Sequence, residues 1–337
     1  MKELGVSVGR FRRSVPAIVS DLLRSRPHVL HLHWLHPFYE SAAGRRSQLR
    51  LRFSLLGLWM LRRLGVRLVW TAHNIGHHEA KGSSVDRACT RFIARRADAI
   101  IVHGESAKRR VVEELRLPDP NRVFVIPHGH YIDSYKNDVN QRAARARLGL
   151  PDSSVVLLFF GQIRPYKGVL ELIEAFRRCD STDARLVIAG RPLSEADAET
   201  VRRAASGNPS VSLVMDFVSD DDIQVYMKAC DAVVLPYRDI LTSGAGVLAM
   251  SFARACVVPR LGCFTDLLDE RGAVFYDAEK LDGLEMGLNE AVSRRGELVD
   301  LGAHNLESAG RWDWSSVARR TLEVYRFALG LRGANDM

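Results

Sequence analysis

The chain has 337 residues, 47% hydrophobic and 26% charged, enough for two domains of about 150 residues each. That balance is globular rather than disordered. No run of ~18 uncharged apolar residues offers a spanning helix, and the opening MKELGVSVGRFRR lacks the apolar stretch and small-residue cleavage site of a secretory signal. The five cysteines are scattered and lack C-x-x-C spacing, the pattern of reduced thiols in a cytoplasmic protein. The formal charge of +8 conceals two unlike halves. Residues 1–150 carry 27 Lys and Arg against 12 Asp and Glu, and residues 151–337 carry 21 against 28. A basic surface attracts anionic membranes, nucleic acids or anionic substrates, so two units with different tasks are expected.

In chain order, MKELGVSVG offers at most a short strand before a helix over 14–25. Either the first domain begins one strand-helix unit late or the chain is incomplete at its start. Strands are then predicted at 28–34, 66–73, 98–104 and 122–129, separated by helical patterns at 44–64, 84–96 and 106–116. The segment 137–154 is polar and ends in a Gly-Leu-Pro turn, which places a boundary near residue 150. Strands follow at 154–161, 184–190, 211–216, 231–237 and 255–259, with helices at 168–178, 194–206, 220–229 and 244–254. A last helix, 311–330, opens on Trp312 and Trp314. Short apolar strands alternating with helices build doubly wound parallel sheets. The fold class is therefore α/β with two Rossmann-like domains, 1–150 and 151–310. Such sheets bind ligands outside the carboxyl ends of their strands.

Two segments of the second half carry phosphate chemistry. In FFGQIRPYKGVLELIEAF (159–176) a strand ends at Gly161, and Arg164 and Lys167 precede a helix near Gly168. A guanidinium fork and an ammonium beside a helix N-terminus suit a diphosphate; a solvated basic loop is the plain alternative. In DAVVLPYRDILTSGAGVLAMSFARACVVPRLG (231–262), Ser243, Gly244, Ala245 and Gly246 open an apolar helix. Small residues there let a ligand approach the first-turn N–H groups; a simple N-cap by Ser243 is the alternative.

GQIRPYKG, VIAG, DAVVLPYRD and SGAGVLAMSFARACVVPRLG, together with VWTAHN (69–74), IIVHGES (100–106) and VIPHGHY (125–131), resemble family 4 glycosyltransferases with the GT-B fold, of the kind that assembles bacterial polysaccharides and glycolipids. The resemblance spans roughly 28–330. It implies two domains facing across a cleft, with a C-terminal helix crossing back. It further implies an acceptor-binding first domain and a nucleotide-sugar-binding second one. Arg164 and Lys167 match the basic pair that holds the donor diphosphate and balances leaving-group charge. Ser243, Gly244 and Ala245 match the backbone cradle, and Gly161, at the strand end, counts with them among the donor-binding residues. Arg191 falls in the loop beside the base, with Asp216 and Phe217 near the same wall. The chain departs from the family at Leu241 and Ala249, where a Glu-x7-Glu pair is usual, leaving Asp239 or Ser243 to hold donor hydroxyls. It departs again at Gln162, where Arg is usual.

His73 and Asn74 end a strand, with His77, His78 and Glu79 behind them, and His103, Glu105, His128 and His130 end the next two. Similar enzymes carry a histidine here that contacts the donor sugar or the reacting centre, so His73 is the expected catalytic candidate; a structural histidine is the alternative. His31 and His33 have metal-compatible spacing, but a cleft or core strand explains them better, and no metal is expected. The resemblance implies a retaining transfer from a nucleoside-diphosphate sugar to a hydroxyl, without cofactor. An inverting enzyme would need a base such as His73 or Glu79. The stretch 44–67 mixes Arg45, Arg46, Arg50, Arg52, Arg62, Arg63 and Arg67 with Leu, Phe and Trp. It suits the anionic inner face of the plasma membrane, where a lipid-linked acceptor would lie. Packing of Leu55, Leu58 and Leu61 on the sheet is equally compatible. Remaining alternatives are a catalytically degenerate scaffold, favoured by the missing Glu pair, and a nucleotide-sugar epimerase, which would need cleft carboxylates. A nucleic-acid binder would need a basic-aromatic platform that the chain lacks.

Overall fold

The computed structural model describes residues 1–9, 25, 27–35, 45–76 and 84–331. The helix expected over 14–25, save its last residue, and His77, His78 and Glu79 lie outside them. The chain forms two compact units, Met1–Pro127 with Trp314–Met337, and His128–Asp313.

In the first unit, β1 (Val29–Leu32), β2 (Arg67–Thr71), β3 (Ala99–Val102) and β4 (Val123–Val125) form a parallel sheet in the order β1-β2-β3-β4. Helices α1 (Arg45–Arg63), α2 (Ser84–Arg96) and α3 (Glu105–Leu115) provide its crossovers. Strand β4 is shorter than the predicted 122–129. Pro127 supplies no backbone donor to extend the ladder. Strands covered on both faces tend to continuous apolar runs; β3, Ala-Ile-Ile-Val, is buried throughout, whereas β1 includes His31.

The second unit begins with α4 (Gln141–Leu148). It continues through β5 (Val155–Phe160), α5 (Val169–Arg177), β6 (Ala184–Ala189), α6 (Glu195–Ala205), β7 (Val211–Val214), α7 (Ile223–Ala229), β8 (Ala232–Val234), α8 (Gly244–Ser251), β9 (Ala255–Pro259), α9 (Cys263–Leu267), β10 (Ala273–Tyr276), α10 (Gly283–Ser293) and α11 (Leu298–Gly310). All six strands are parallel, in the order β10-β9-β8-β5-β6-β7. The chain winds outward from β5 through β6 and β7, then returns to β8 on the other side. The switch point therefore lies between β5 and β8. Helix α5 shows why such elements form: Val169, Leu172, Ile173 and Phe176 recur at helical spacing, and all are buried.

The polar segment read as a linker is a helix of the second unit. Asn140 caps it, its side chain accepting from the Ala143 N–H at 2.9 Å. The Arg145 guanidinium, 4% exposed, donates to Asp231 Oδ2 at 2.7 Å and to the Ala229 carbonyl at 3.0 Å. Asp231 also accepts from the Val156 N–H at 2.7 Å. A buried charge needs full pairing of this kind. It moves the boundary from the expected residue 150 back to Pro127–His128.

After α11 the chain returns to the first unit as α12 (Trp314–Leu329). Val324 and Ala328 of α12 pack against Val69, Ala99, Ile101 and Ile126. The last helix thus completes the first sheet's core, the return expected of the C-terminal helix.

Candidate active site

In the second unit a cavity of about 340 Å³ opens at the carboxyl ends of β5 and β8, on the switch point. Phe160, Gly161, Tyr166 and Lys167 line it from the loop after β5. Tyr237, Ile240, Thr242, Ser243, Gly244 and Ala245 line it from the loop after β8, and Tyr131 and Tyr135 complete it. The two loops are tied together. The Arg238 N–H donates to the Tyr166 carbonyl at 2.9 Å, and Arg238 pairs with Glu171 of α5.

Ser243 is buried and caps α8, its Oγ accepting from the Gly246 N–H at 3.0 Å. That contact satisfies one first-turn donor. Gly244 and Ala245 border the cavity with minimal side chains, so the helix end is approachable and its partial positive charge favours an anion. The capping alternative and the anion-site alternative thus hold together at Ser243.

Lys167 supplies the ionic charge. Its Nζ lies 5.3 Å from the centre of the Tyr237 ring, and 3.1 Å from where a Cβ on Gly161 would stand. Burial, and secondarily the neighbouring Arg164 charge, pull the ammonium down from its ordinary value of 10.5 to about 8. Among the described residues no carboxylate pairs with it, and the cavity is lined by none. An ammonium half-buried without a counter-ion, at a helix N-terminus, is a site prepared for an anion.

The other expected residues sit apart from that lining. Arg164 is half-buried beside Lys167, and its Nε and Nη2 donate to Gln162 Oε1 at 3.1 and 2.9 Å. Gln162, which replaces the usual arginine, thus steadies the arginine two residues on. Arg191 is exposed and reaches the site only through its backbone: its carbonyl accepts from the Ile163 N–H at 3.0 Å. Asp239 is half-buried, and with Arg164 it acts electrostatically on Tyr166. Leu241 and Ala249 are buried at 4% and 0% exposure, so the positions of the usual Glu pair belong here to the core. Tyr166 and Tyr237 were not anticipated. The twice-repeated Pro-Tyr, one copy after each switch-point strand, is the signal that finds them.

In the first unit the strand ends gather histidines. His31 is held between the Tyr325 hydroxyl (Nδ1, 2.7 Å) and Thr71 Oγ1 (Nε2, 2.7 Å). Burial, and then the neighbouring His33, drive its value down to about 3, so it is neutral. His33 stacks on it at 4.4 Å, and His33 Nδ1 shares a hydrogen bond with His73 Nε2 at 3.0 Å. Trp34 stacks on His73 at 4.7 Å with 18° between the planes, and His103 lies 5.2 Å from His73. Among the described residues no three His, Cys, Asp or Glu side chains converge as a metal site. There too, no helix is long and apolar enough to cross a membrane.

Comparison with known proteins bears on both units. The family described as Glycosyltransferase Family 4 matches residues 5–133, and Glycosyl transferases group 1 matches residues 154–290. A GDP-mannose:glycolipid 4-beta-D-mannosyltransferase of Xanthomonas campestris pv. campestris is 28% identical over 93% of this chain and 83% of its own. A D-inositol 3-phosphate glycosyltransferase of Rhodococcus jostii is 26% identical over 80% of this chain and 63% of its own. Among solved structures, sucrose-phosphate synthase from Thermosynechococcus elongatus has a TM-score of 0.76 at 16% identity, covering 93% of this chain and 76% of that one. Anabaena HepE in complex with UDP and glucose has a TM-score of 0.73 at 16% identity, covering 91% and 80%. With a family match in each unit and a shared two-domain fold, the chain belongs to the GT-B glycosyltransferases of the family 4 and group 1 kind and is an enzyme of that class.

Proposed function

We propose that the protein moves a sugar from a nucleoside-diphosphate donor to a hydroxyl of a glycan or lipid-linked glycan. One observation carries this reading: the unpaired Lys167 ammonium and the open end of α8 meet at the switch point of the second sheet. A departing diphosphate develops charge there, and prepositioned cations and amides stabilise it most in the transition state. Lys167, Arg164 and the α8 amides supply that neutralisation without a cofactor or metal. The name of the Xanthomonas relative supports a GDP-sugar donor and a glycolipid acceptor, and HepE was solved with UDP and glucose.

The transfer is proposed as retaining and front-faced, with the leaving phosphate taking the acceptor proton. The cavity presents no carboxylate to act as a nucleophile. A second reading, inversion with His73 as base, is favoured by two observations. His73 Nε2 already shares a hydrogen bond with His33, and the Xanthomonas relative is named for a beta linkage, the outcome of inversion from an alpha-linked donor. The anomeric coupling of the product, read by NMR, decides between them.

Nucleotide binding tests the donor site. GDP or UDP at ~100 times its dissociation constant should add about 2.7 kcal/mol of stability and raise the melting temperature by several degrees. Guanosine and uridine, lacking phosphates, should not. The pH dependence follows from Lys167. Bound diphosphate favours the charged ammonium, whereas in the free protein this group loses its proton above about 8. Affinity should be flat below that pH and fall as pH rises through it, with proton uptake on binding seen by calorimetry in buffers of different ionisation enthalpy. No response to either nucleotide would remove the proposal.

We further propose that the enzyme works on the inner face of the plasma membrane, in the cytoplasm, docked through α1. That helix faces both ways. Leu58 and Leu61 are buried, Leu55 is half-buried, and Leu56, Trp59 and Met60 are exposed, followed by exposed Leu64. Arg63 lies 4.9 Å over the Trp59 ring, whereas Arg62 and Arg67 pair with Asp98. The side chains of Arg45, Arg46 and Arg50 lie outside the described residues. Exposed apolar groups beside an arginine fit an anionic bilayer surface. The protein should sediment with phosphatidylglycerol vesicles at low salt and not with phosphatidylcholine, and Trp59→Glu should reduce binding. Equal binding to both vesicle types would count against the surface.

A further inference from the structure

We propose that Tyr237 is a positioning residue of the donor site: its ring takes the place of a counter-ion for the Lys167 ammonium and keeps it charged at the cavity wall for the incoming diphosphate. The inference deepens the donor-site reading above and rests on it. Lys167 Nζ stands over the Tyr237 ring, 5.3 Å from its centre, within cation–π range. The backbone enforces the pairing. Gly168 follows Lys167 with φ at 70°, and a Cβ there would collide with the carbonyl oxygen of Pro236, which precedes Tyr237. The two loops therefore touch one residue beyond the lysine and one residue before the tyrosine. The ring is fixed as well. It is 3% exposed, with the Phe264 ring centre at 5.8 Å and the Tyr166 ring edge-on at 6.3 Å.

The other groups around the ammonium do not offset its charge. Arg164, on the same loop, repels it. Tyr131 and Tyr135 on the cavity wall, Tyr166, and Tyr237 itself have phenols that burial raises, so all four are neutral. The α8 N-terminus carries partial positive charge. Asp239 acts on Tyr166, and Glu171 pairs with Arg238; neither lines the cavity. An aromatic quadrupole attracts a cation without carrying a net negative charge. It opposes the desolvation of Lys167 and, unlike a carboxylate, does not repel a diphosphate. The Tyr237 hydroxyl is buried without a hydrogen-bond partner among the described residues, so the fold holds this side chain by its ring.

The test begins with titration of Lys167 in the full chain without nucleotide, by NMR of the lysine side-chain nitrogens, its signal identified by its absence from Lys167→Ala. Tyr237→Leu keeps an apolar filling and removes the ring, and should lower the Lys167 midpoint by about one unit. Tyr237→Phe, which keeps the ring face, should titrate like wild type. Should Tyr237→Leu fail to fold, trifluorophenylalanine at the same position keeps the shape of Phe, withdraws charge from the ring face and should lower the midpoint too. Calorimetry with GDP and UDP then reads the donor site. Tyr237→Leu should bind about tenfold more weakly than wild type at pH 9 and about equally at pH 6. A merely structural role would weaken binding alike at both pH values, and that result would overturn the assignment. So would equal Lys167 midpoints in wild type and Tyr237→Leu, equal midpoints with phenylalanine and trifluorophenylalanine, or a Tyr237→Phe that titrates like Tyr237→Leu. A wild type that binds neither nucleotide removes the reading beneath the proposal, whatever the midpoints.

Discussion

Lys167→Ala should lower kcat/KM by about 10²–10³-fold, the range seen when one prepositioned transition-state donor is removed, while leaving the fold as stable as before or more so below pH 8. The two effects have a single cause. Lys167 is half-buried without a carboxylate partner, so the folded protein holds its charge against the desolvation penalty. Its folded value of about 8 lies below the unfolded 10.5. Between those values the unfolded chain binds more protons, so wild-type stability should rise with pH across that window. Below about 8 the lysine is charged in both states and the penalty is fully present. The alanine variant should lose the rise, and the two unfolding curves should converge toward pH 10. Denaturant titrations at pH 7, 9 and 10 measure the stability effect, and donor turnover at pH 7 measures the catalytic one. Full turnover in Lys167→Ala would separate this ammonium from the chemistry. A large loss of stability at pH 7 would show that it serves the fold instead.

Much of this architecture is legible in the sequence, for a physical reason. Parallel strands covered on both faces read as short, largely apolar runs, and nine of the ten strands among the described residues announce themselves that way. The helices Gly283–Ser293 and Leu298–Gly310 are not read, because Glu, Asn, Asp and buried glycines interrupt their apolar residues, and the four-residue apolar run Ala273–Tyr276 is passed over for its shortness. The helix Gln141–Leu148 was missed because its one buried polar anchor, Arg145, looks in sequence like another surface charge. Only the fold brings Asp231 to it from 86 residues away. At the site, Lys167 and the Ser243–Ala245 turn follow from the rule that ligands meet strand ends. The tyrosines do not, because a buried aromatic lining a cavity and one filling a core look alike in one dimension. The histidine array lies between these cases. Each ring sits visibly at a strand end, but their mutual stacking depends on the register of β1 against β2, which pairs His31 with Val69.

Gly190→Ala should cost about 3 kcal/mol or more of stability and abolish the nucleotide-induced melting shift, although residue 190 carries no functional group. Gly190 follows β6 with φ at 150°, and a Cβ there would stand 2.0 Å from the Gly161 carbonyl oxygen and 2.6 Å from its carbon. Both obstacles are backbone, so no side-chain rotation relieves them. The strand ends must part by about 1 Å or more to restore ordinary contact distances. Two ladder bonds cross that point: the Gly161 N–H donates to the Ala189 carbonyl at 3.0 Å, and the Gly190 N–H to the Val214 carbonyl at 2.8 Å. Gly161 borders the cavity and carries the chain to Lys167, so displacing it moves the ammonium relative to the α8 amides. Gly207→Ala is the control. It has positive φ, 77°, but nothing within 4 Å of the added Cβ, so it should cost only about 1 kcal/mol for backbone strain. The difference between the two denaturation midpoints isolates the collision. Equal midpoints, or an intact nucleotide shift in Gly190→Ala, would mean that the strand ends yield without disturbing the anion site.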